Sequence, residues 1–303
     1  MADVQQPKLH SRRTQRVRAF REKSQWFDVS YRVARERRGQ IALLILGMAA
    51  VFALFANLIA PYDYEHQIRG ARLLSPSWSH PFGTDDVSRD LLSRMIYGVR
   101  ISIFVSFGAV AIALPIGVAI GYVAGYIGGW VDGLLMRLVD TMLAFPGILT
   151  ALVVLTVLGT GTREVAITLG IIAIPLFARL SRGQMLQEKE RDYTLAARAL
   201  GAGPIRIIMR HIAVNTLPPL MIQAALTMAF SIIAEASLSY LGLGASPPVP
   251  TIGLTLQASR EFMLLGAWWF VIAPVAALAL LLVALNFLAD AILEATSPYV
   301  RSK

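Results

Sequence analysis

The sequence is organised around a polar stretch that lies between two apolar ones, residues 179–215: RLSRGQMLQEKERDYTLAARALGAGPIRIIMRHIAVN. Strong helix formers dominate residues 184–200, which predicts one helix. Gly201 then stands where a left-handed C-terminal cap would end that helix, and Pro204 stands at a favoured first helical position. The stretch therefore predicts a helix, a stop and a second short helix over residues 204–211.

The composition is that of a membrane protein with several spans. The chain has 303 residues, of which 56% are hydrophobic and 16% are charged, and its mean hydropathy is +0.60. Soluble domains contain about 25% charged residues, so this composition favours a polytopic membrane protein. The net charge of +9 is concentrated in residues 1–40 and in the polar stretch. It does not form a basic reading face, which argues against nucleic acid as a partner.

The second short helix is predicted to have one apolar face. Ile205, Ile208 and Met209 fall near that face at helical spacing. Arg206 and Arg210 point elsewhere. A short, exposed and partly apolar helix on a membrane protein is typical of a segment that a partner receives in a groove.

Six apolar segments are predicted to cross the membrane. Residues 1–40 form a basic arm, which the positive-inside rule places in the cytoplasm, and residues 61–99 form an external segment. The first span covers residues 41–60, residues 100–291 hold a core of five more, and residues 292–303 form a cytoplasmic tail. The spans are predicted at residues 41–60, 101–122, 134–157, 165–178, 212–234 and 262–289. Six crossings place both termini, and the polar stretch between spans four and five, in the cytoplasm.

The sequence lacks residues that common catalytic motifs need. Its four lysines, none of which follows a glycine, cannot complete a phosphate-binding P-loop. Its four histidines lie outside the predicted spans, which argues against an intramembrane hydrolase. The absence of cysteine excludes disulfides and thiol chemistry. We therefore expect a non-catalytic chain without a bound cofactor, in which a partner hydrolyses any nucleotide.

Three carboxylates near or within the predicted spans need an explanation, because a carboxylate in a span costs about 2.5–3.5 kcal/mol on insertion scales. Asp140 is explained by a helix-surface pair with Arg137, and Asp290 by a position at the cytoplasmic interface. Glu235 either has a pore-facing or interfacial role or ends a helix near the outer surface. Pro146 is predicted to kink the third span.

Residues 80–98, HPFGTDDVSRDLLSRMIYG, allow two interpretations. The histidine and three aspartates could be ligands of a hard metal ion. A helix start is the simpler interpretation, with Thr84 as the N-cap and two aspartates in the first turn, where the helix dipole favours them. Asp90 is then predicted to pair with Arg94 at helical spacing.

Four motifs, in the same order along the chain, resemble those of one transporter family. LAARALG at residues 195–201, followed by RHIAVN at residues 210–215, is similar to the EAA loop of binding-protein-dependent ABC importer permeases. Residues 80–90 and EASLSYLGLG at residues 235–244 resemble the dipeptide, oligopeptide and nickel subfamily, specifically its second permease subunit. Residues 132–146, which begin DGLLMRLVD and end in proline, fit the same pattern.

The resemblance implies an all-α type I importer permease in a bacterial inner membrane, with residues 100–291 as the core permease domain. The implied partners are a homologous permease subunit, two cytoplasmic ATPases that bind ATP and magnesium, an external substrate-binding protein and membrane lipid. The residues implied to contact an ATPase, as a coupling helix between spans four and five, are Ala196, Ala197, Arg198, Gly201, Pro204, Arg206 and Arg210. The candidates for the translocation path or the interface between permeases are Asp140, Pro146 and Glu235.

Peptides or related small solutes are the implied cargo, since the resemblance covers permeases for dipeptides, longer peptides and nickel chelates alike. A secondary, proton-coupled carrier that uses Asp140 and Glu235 is the alternative. Uptake that collapses on ATP depletion while the proton gradient is held favours the importer, and the reverse result favours the carrier.

Overall fold

The computed structural model describes residues 25–296, and within that range the architecture is helical. The predictions for residues 1–24 of the basic arm and for residues 297–303 of the tail lie outside the described residues. The helices are α1 (Gln25–Arg35), α2 (Arg37–Ile59), α3 (Leu91–Ile127), α4 (Gly129–Leu143), α5 (Gly147–Leu158), α6 (Thr162–Glu188), α7 (Asp192–Ala199), α8 (Pro204–Ile207), α9 (Ala213–Tyr240), α10 (Ile252–Ser259) and α11 (Trp268–Thr296). A π-helical turn, Ile208–Ile212, joins α8 to α9.

Five helices are long and apolar enough to cross a membrane, and the number rises to six if a bent pair counts as one span. The five are α2, α3, α6, α11 and the continuous helix Pro204–Tyr240. The bent pair is α4 with α5. Within residues 25–296, β pairing is limited to two isolated bridges. The prediction of an all-helical protein with several membrane spans is confirmed.

The predicted third span, residues 134–157, is not one straight helix. α4 and α5 meet at 90° across a three-residue break. Proline disfavours the helical conformation of the residue before it, here Phe145, so α4 ends ahead of it. Pro146 itself takes the N-cap position of α5. The predicted kink at Pro146 is thus a break between two helices.

Glycines set the separation of α3 and α6, which form the most extensive helix pair in the described chain. A Cβ on Gly117 would lie 2.6 Å from the Cβ of Phe177. A Cβ on Gly121 would overlap the carbonyl oxygen of Ala178. Ser181 lies in the same seam, where its Oγ donates to the Phe177 carbonyl at 2.7 Å. Van der Waals packing between small residues drives helix association in lipid, so this seam is a main source of cohesion.

A second layer of helices covers α3. Val99 of α3, Ala49 of α2, Ile232 of α9 and Leu285 of α11 are buried in one apolar cluster. Ile252 at the start of α10 completes that cluster, so the short helix is packed into the bundle instead of lying free on its surface. The bundle therefore has α3 at its centre, between α6 on one side and α2, α9 and α11 on the other.

The helix after the external segment begins at Leu91, so the predicted start at Thr84 is wrong. Asp90 is the N-cap, and its Oδ2 accepts a hydrogen bond from the Ser93 amide at 2.8 Å. Its other oxygen, Oδ1, lies 3.0 Å from the Nδ1 of His80. Thr84 cannot serve as the cap, because its Oγ1 accepts a hydrogen bond from the Leu74 amide at 2.8 Å.

Asp85 forms ion pairs with two arginines, one of the external segment and one of α3. Its Oδ2 lies 2.7 Å from the Nε of Arg89 and 3.4 Å from the Nε of Arg94. Arg94 thus pairs with Asp85 and not, as predicted, with Asp90. Burial and the neighbouring carboxylate of Asp85 raise the pKa of Asp86. No group of three or more metal-ligating side chains forms within residues 25–296, so the structure gives the metal interpretation no support.

The polar stretch is divided differently from the prediction. α6 continues beyond the predicted fourth span to Glu188, and a break at residues 189–191 separates it from α7. The predicted single helix over residues 184–200 is therefore two helices. The predicted short helix over residues 204–211 is the first part of the long helix Pro204–Tyr240.

Gly121→Ala is expected to destabilise the protein, because the new methyl group would overlap the Ala178 carbonyl oxygen and lie 2.7 Å from the Arg182 amide nitrogen. Overpacking of this kind costs about 1–3 kcal/mol. The melting temperature of the purified protein measures the effect. Gly47→Ala in α2 is the matched control, since a Cβ there meets nothing within 4 Å. Equal melting temperatures for the two variants would contradict the role of the seam.

Candidate functional site

The residues implied to contact an ATPase follow one another at the end of the bundle where α6 ends. We call residues 192–212 the coupling segment. Their positions are Ala196, Ala197 and Arg198 on α7, Gly201 in the next turn, Pro204 and Arg206 on α8, and Arg210 in the π turn. Ala197 is half-buried and the others are exposed.

A glycine-based cap fixes the turn between α7 and α8. Gly201 has a φ of 80°, and its amide donates to the Arg198 carbonyl at 3.0 Å. The Ala202 amide donates to the Ala197 carbonyl at 3.0 Å. These two bonds form a Schellman motif, which favours glycine at the left-handed position. α8 then begins at Pro204, so the predicted stop and restart are where the sequence placed them.

Three large apolar side chains project from the coupling segment. Leu200, Ile205 and Met209 are 89%, 78% and 66% exposed, and we call them the apolar ridge. Ile208, predicted on the same face, is half-buried, and Ile207 is the fully buried residue of this helix. The three arginines of the coupling segment are exposed along the same stretch.

The buried side of the coupling segment is anchored to three long helices. Ile207 and Ile212 pack with Tyr122 of α3 and Met185 of α6. The Tyr122 hydroxyl is hydrogen-bonded to the Thr216 hydroxyl near the start of α9. The buried side of the segment therefore contacts α3, α6 and α9 together.

The corner between α6 and α7 is held by Glu188. Its carbonyl accepts a hydrogen bond from the Thr194 hydroxyl at 2.8 Å, and its carboxylate accepts one from the Tyr193 hydroxyl. Burial, followed by this bond to Glu188, raises the pKa of Tyr193. Arg191 adds an ion pair, with its Nε 3.5 Å from Glu188 Oε1. The break at residues 189–191 is thus a fixed corner.

The π turn Ile208–Ile212 is the last part of the coupling segment and continues into α9 without interrupting the helix. Asn215 Nδ2 donates to the His211 carbonyl at 2.8 Å, which gives a partner to a carbonyl of the widened turn. Short π turns inside α-helices are rare and frequently lie at functional sites. The π turn Ile208–Ile212 lies at the junction between the exposed coupling segment and α9, which packs in the bundle.

Two ion pairs join α4 to α6. Asp140 Oδ1 lies 2.5 Å from Arg179 Nη2, so Asp140 pairs with Arg179 instead of the predicted Arg137. Arg182 holds both carboxylate oxygens of Asp132, at 2.5 and 2.6 Å. Two parallel bonds of this kind are among the strongest polar contacts in proteins. They fix the start of α4 against α6, while the Asp140 pair lies closer to the bend.

Glu235 lies inside the bundle, between α9 and α3. It is 2% exposed, and its two carboxylate oxygens accept hydrogen bonds from Ser102 Oγ at 3.0 Å and Ser239 Oγ at 2.8 Å. Its side chain faces α3, five residues before α9 ends at Tyr240. Asp140 and Pro146 belong to the bend between α4 and α5, so the three residues predicted for the translocation path contact different elements.

Asp290, the third carboxylate near a predicted span, has a basic neighbour. Asp290 lies 3.7 Å from Arg38 at the start of α2, with both side chains more than half exposed. The sequence motifs did not predict the partners Ser102, Arg179 and Arg182. Arginines that directly follow a span were the available signal for two of them, but their carboxylate partners are 39 and 50 residues away.

The helical bundle with its exposed coupling segment defines a multi-pass membrane component of a transport system. Residues 117–302 match the description "binding-protein-dependent transport system inner membrane component". Residues 24–76 match the N-terminal TM domain of oligopeptide transport permease C. The chain belongs to the family of binding-protein-dependent transport system inner membrane components. This family supports the importer permease over the proton-coupled carrier considered above.

Relatives in three bacteria are similar over nearly their whole length. The dipeptide transport system permease protein DppC of Escherichia coli (strain K12) is 42% identical over 88% of this chain and 91% of its own. The di/tripeptide transport system permease protein DppC of Pseudomonas aeruginosa (strain UCBPP-PA14) is 36% identical over 88% and 89%. The glutathione transport system permease protein GsiD of Shigella dysenteriae serotype 1 is 39% identical over 91% of each chain.

A solved structure shares the fold. A chain from the inward-facing MetNI methionine ABC transporter superposes with a TM-score of 0.53 at 20% identity, covering 68% of this chain and 96% of its own. The likeness confirms the type I importer permease fold that the sequence motifs predict.

Asp132→Ala is expected to loosen α4 from α6, because Arg182 loses both of its carboxylate bonds. Hydrogen bonds between charged groups contribute about 1.5–3 kcal/mol, and the melting temperature should fall accordingly. The charge exchange Asp132→Arg with Arg182→Asp should recover part of the loss. Arg137→Ala, on the exposed face of the same helix, is the control and should leave the melting temperature unchanged. A loss as large for Arg137→Ala as for Asp132→Ala would count against the ion pair.

Proposed function

We propose that this chain is the non-catalytic permease subunit of an ATP-driven importer that moves short peptides across the inner membrane. It pairs with a homologous permease subunit, and a binding protein outside the membrane delivers the peptide. Two cytoplasmic ATPase subunits bind ATP and magnesium and act on the coupling segment. The exposed apolar ridge is the observation that carries this proposal.

The ridge has the properties of a surface that a protein partner covers. Its side chains project from the chain between α6 and the buried part of α9. The neighbouring run of charged residues is too polar to lie in lipid. Exposed apolar groups with a polar surround are typical of protein interfaces. Here Arg198, Arg206 and Arg210 provide that surround. Because the buried side of the segment contacts α3, α6 and α9, a partner that moves it also moves the spans.

The orientation proposed has the coupling segment and both termini in the cytoplasm. Residues 179–210 contain seven basic residues, and residues 1–40 contain eleven. Basic residues accumulate on the cytoplasmic side of membrane proteins. Six crossings, with α4 and α5 as one broken span, place both basic regions on that side. Residues 61–90 then face outward.

Short peptides are the proposed cargo. The names of the relatives specify dipeptide, di/tripeptide and glutathione transport, and all three substrates are small peptides. These relatives align over 88–91% of this chain, so the similarity includes the spans as well as the coupling segment.

The bend between α4 and α5 is the proposed contact with the translocation path and the second permease. Asp140 and Pro146 mark that bend, and α5 beyond it leaves Val153 and Val157 exposed. Such an apolar helix face is suited to packing against another permease. Glu235 is proposed to hold α9 against α3 beside the path, because one of its carboxylate oxygens accepts a hydrogen bond from Ser102 of α3.

Ile205→Glu is expected to abolish peptide uptake and to weaken the capture of the ATPases. The substitution places a charge on the apolar ridge, where an interface would have to desolvate it at a cost of several kcal/mol. Uptake of a labelled dipeptide and co-purification of the ATPases measure the two effects. Leu264→Glu is the matched control, since Leu264 is 94% exposed and far along the chain from the coupling segment. Equal ATPase recovery from the two variants would refute the proposed interface.

Cysteine labelling tests the orientation, because the natural chain contains no cysteine. Leu200→Cys and Trp78→Cys each provide one thiol on a highly exposed position. In intact spheroplasts that express the chain without the ATPases, which would otherwise cover position 200, a membrane-impermeant maleimide is expected to label the cysteine at 78 and to reach the one at 200 only after permeabilisation. The opposite pattern would reverse the proposed topology.

A further inference from the structure

α2, α3 and α11 enclose an apolar groove of about 580 Å³. Met48 and Phe52 of α2, Met95 of α3, and Ala276 and Leu280 of α11 are among the residues that line it. Every lining side chain is apolar or aromatic. The groove is separate from the coupling segment and from the bend between α4 and α5.

One end of the groove lies under the segment that precedes α3. Pro81, Phe82, Trp268 and Trp269 form this end. Trp269 Nε1 donates to the Thr84 carbonyl at 3.4 Å, so the indole is held by the polar segment above it. Tryptophans of this kind mark the level of the lipid headgroups. The groove therefore opens at the membrane interface.

The other end of the groove closes partway along the span. The lining runs along α11 from Trp268 to Leu281, which corresponds to about 20 Å of helix. One leaflet provides about half of a 30 Å hydrocarbon core, and the first turn of the groove, at Trp268 and Trp269, lies at the headgroup level. The remaining length, about 15 Å, corresponds to one leaflet. Beyond the groove α2 and α11 approach each other directly, since Arg38 Nη1 lies 3.7 Å from Asp290 Oδ2.

We propose that this groove binds one acyl chain of a phospholipid from the leaflet next to residues 61–90. Its depth corresponds to one leaflet, whereas a membrane-spanning helix of a partner needs a surface along the whole hydrocarbon core. A peptide is unsuited to it, because the apolar walls would leave the peptide's polar groups without hydrogen bonds. The bound chain would fill the space between α2 and α11 and fix the first span against the core.

A photoactivatable lipid tests the proposal. The assembled transporter is reconstituted in phosphatidylethanolamine vesicles that contain a phospholipid with a diazirine in its acyl chain, and labelled peptides are mapped by mass spectrometry. We expect labelling to be concentrated at residues 45–52 and 268–281. Ala276→Phe should lower that labelling by about tenfold or more, because the ring displaces at least two methylenes of the chain.

Ala279→Phe is the matched control, since Ala279 is exposed on the same helix and does not line the groove. It should be labelled like the natural chain. Unchanged labelling of Ala276→Phe would overturn the proposal. The proposal would also be overturned if Ala276→Phe no longer bound the homologous permease but was labelled by the lipid as before, since a partner helix would then be the occupant. If Ala276→Phe fails to assemble, the natural chain decides alone, and labelling no higher in the groove than around Leu58, which is 82% exposed on α2 and does not line the groove, overturns the proposal.

Discussion

The close contact between α3 and α6 is the constraint on which the other packing depends. Gly117, Gly121 and Gly125 bring the two backbones together at successive turns of α3, and side chains of α6 occupy the space that each glycine leaves. In lipid there is no hydrophobic gain from bringing helices together, so complementary shape supplies the attraction. Once this pair is formed, α2, α9 and α11 have a surface on which to pack.

Polar contacts then tie the remaining elements to that pair. The arginines of α6 hold α4 through Asp132 and Asp140, and Glu188 holds α7 at a fixed angle. The coupling segment is therefore not a loose loop between two spans. Its exposed side is free for a partner, while its inner side is part of the same packed unit as the spans.

Features that depend only on residues adjacent in the sequence could be predicted from the sequence. Apolar length located the spans, and the Gly201 to Pro204 turn was placed correctly because its geometry depends only on residues within it. The start of α3 was misplaced because Thr84 Oγ1 accepts a hydrogen bond from the Leu74 amide, ten residues earlier, which leaves Asp90 as the cap. The partner of Asp140 was misjudged for the same reason: helical spacing favours Arg137, and only the folding of α6 against α4 brings Arg179 closer.

The helix Pro204–Tyr240 has a mechanical consequence. It carries part of the apolar ridge at one end and Glu235 near the other, separated by thirty residues, or about 45 Å of helix. When such a long helix tilts, its far end moves much further than the end about which it turns. A tilt of about 5° around the Glu235 end displaces the ridge end by about 4 Å. A small rotation of the helix near Glu235 and a displacement of several ångströms at the apolar ridge are thus the same motion.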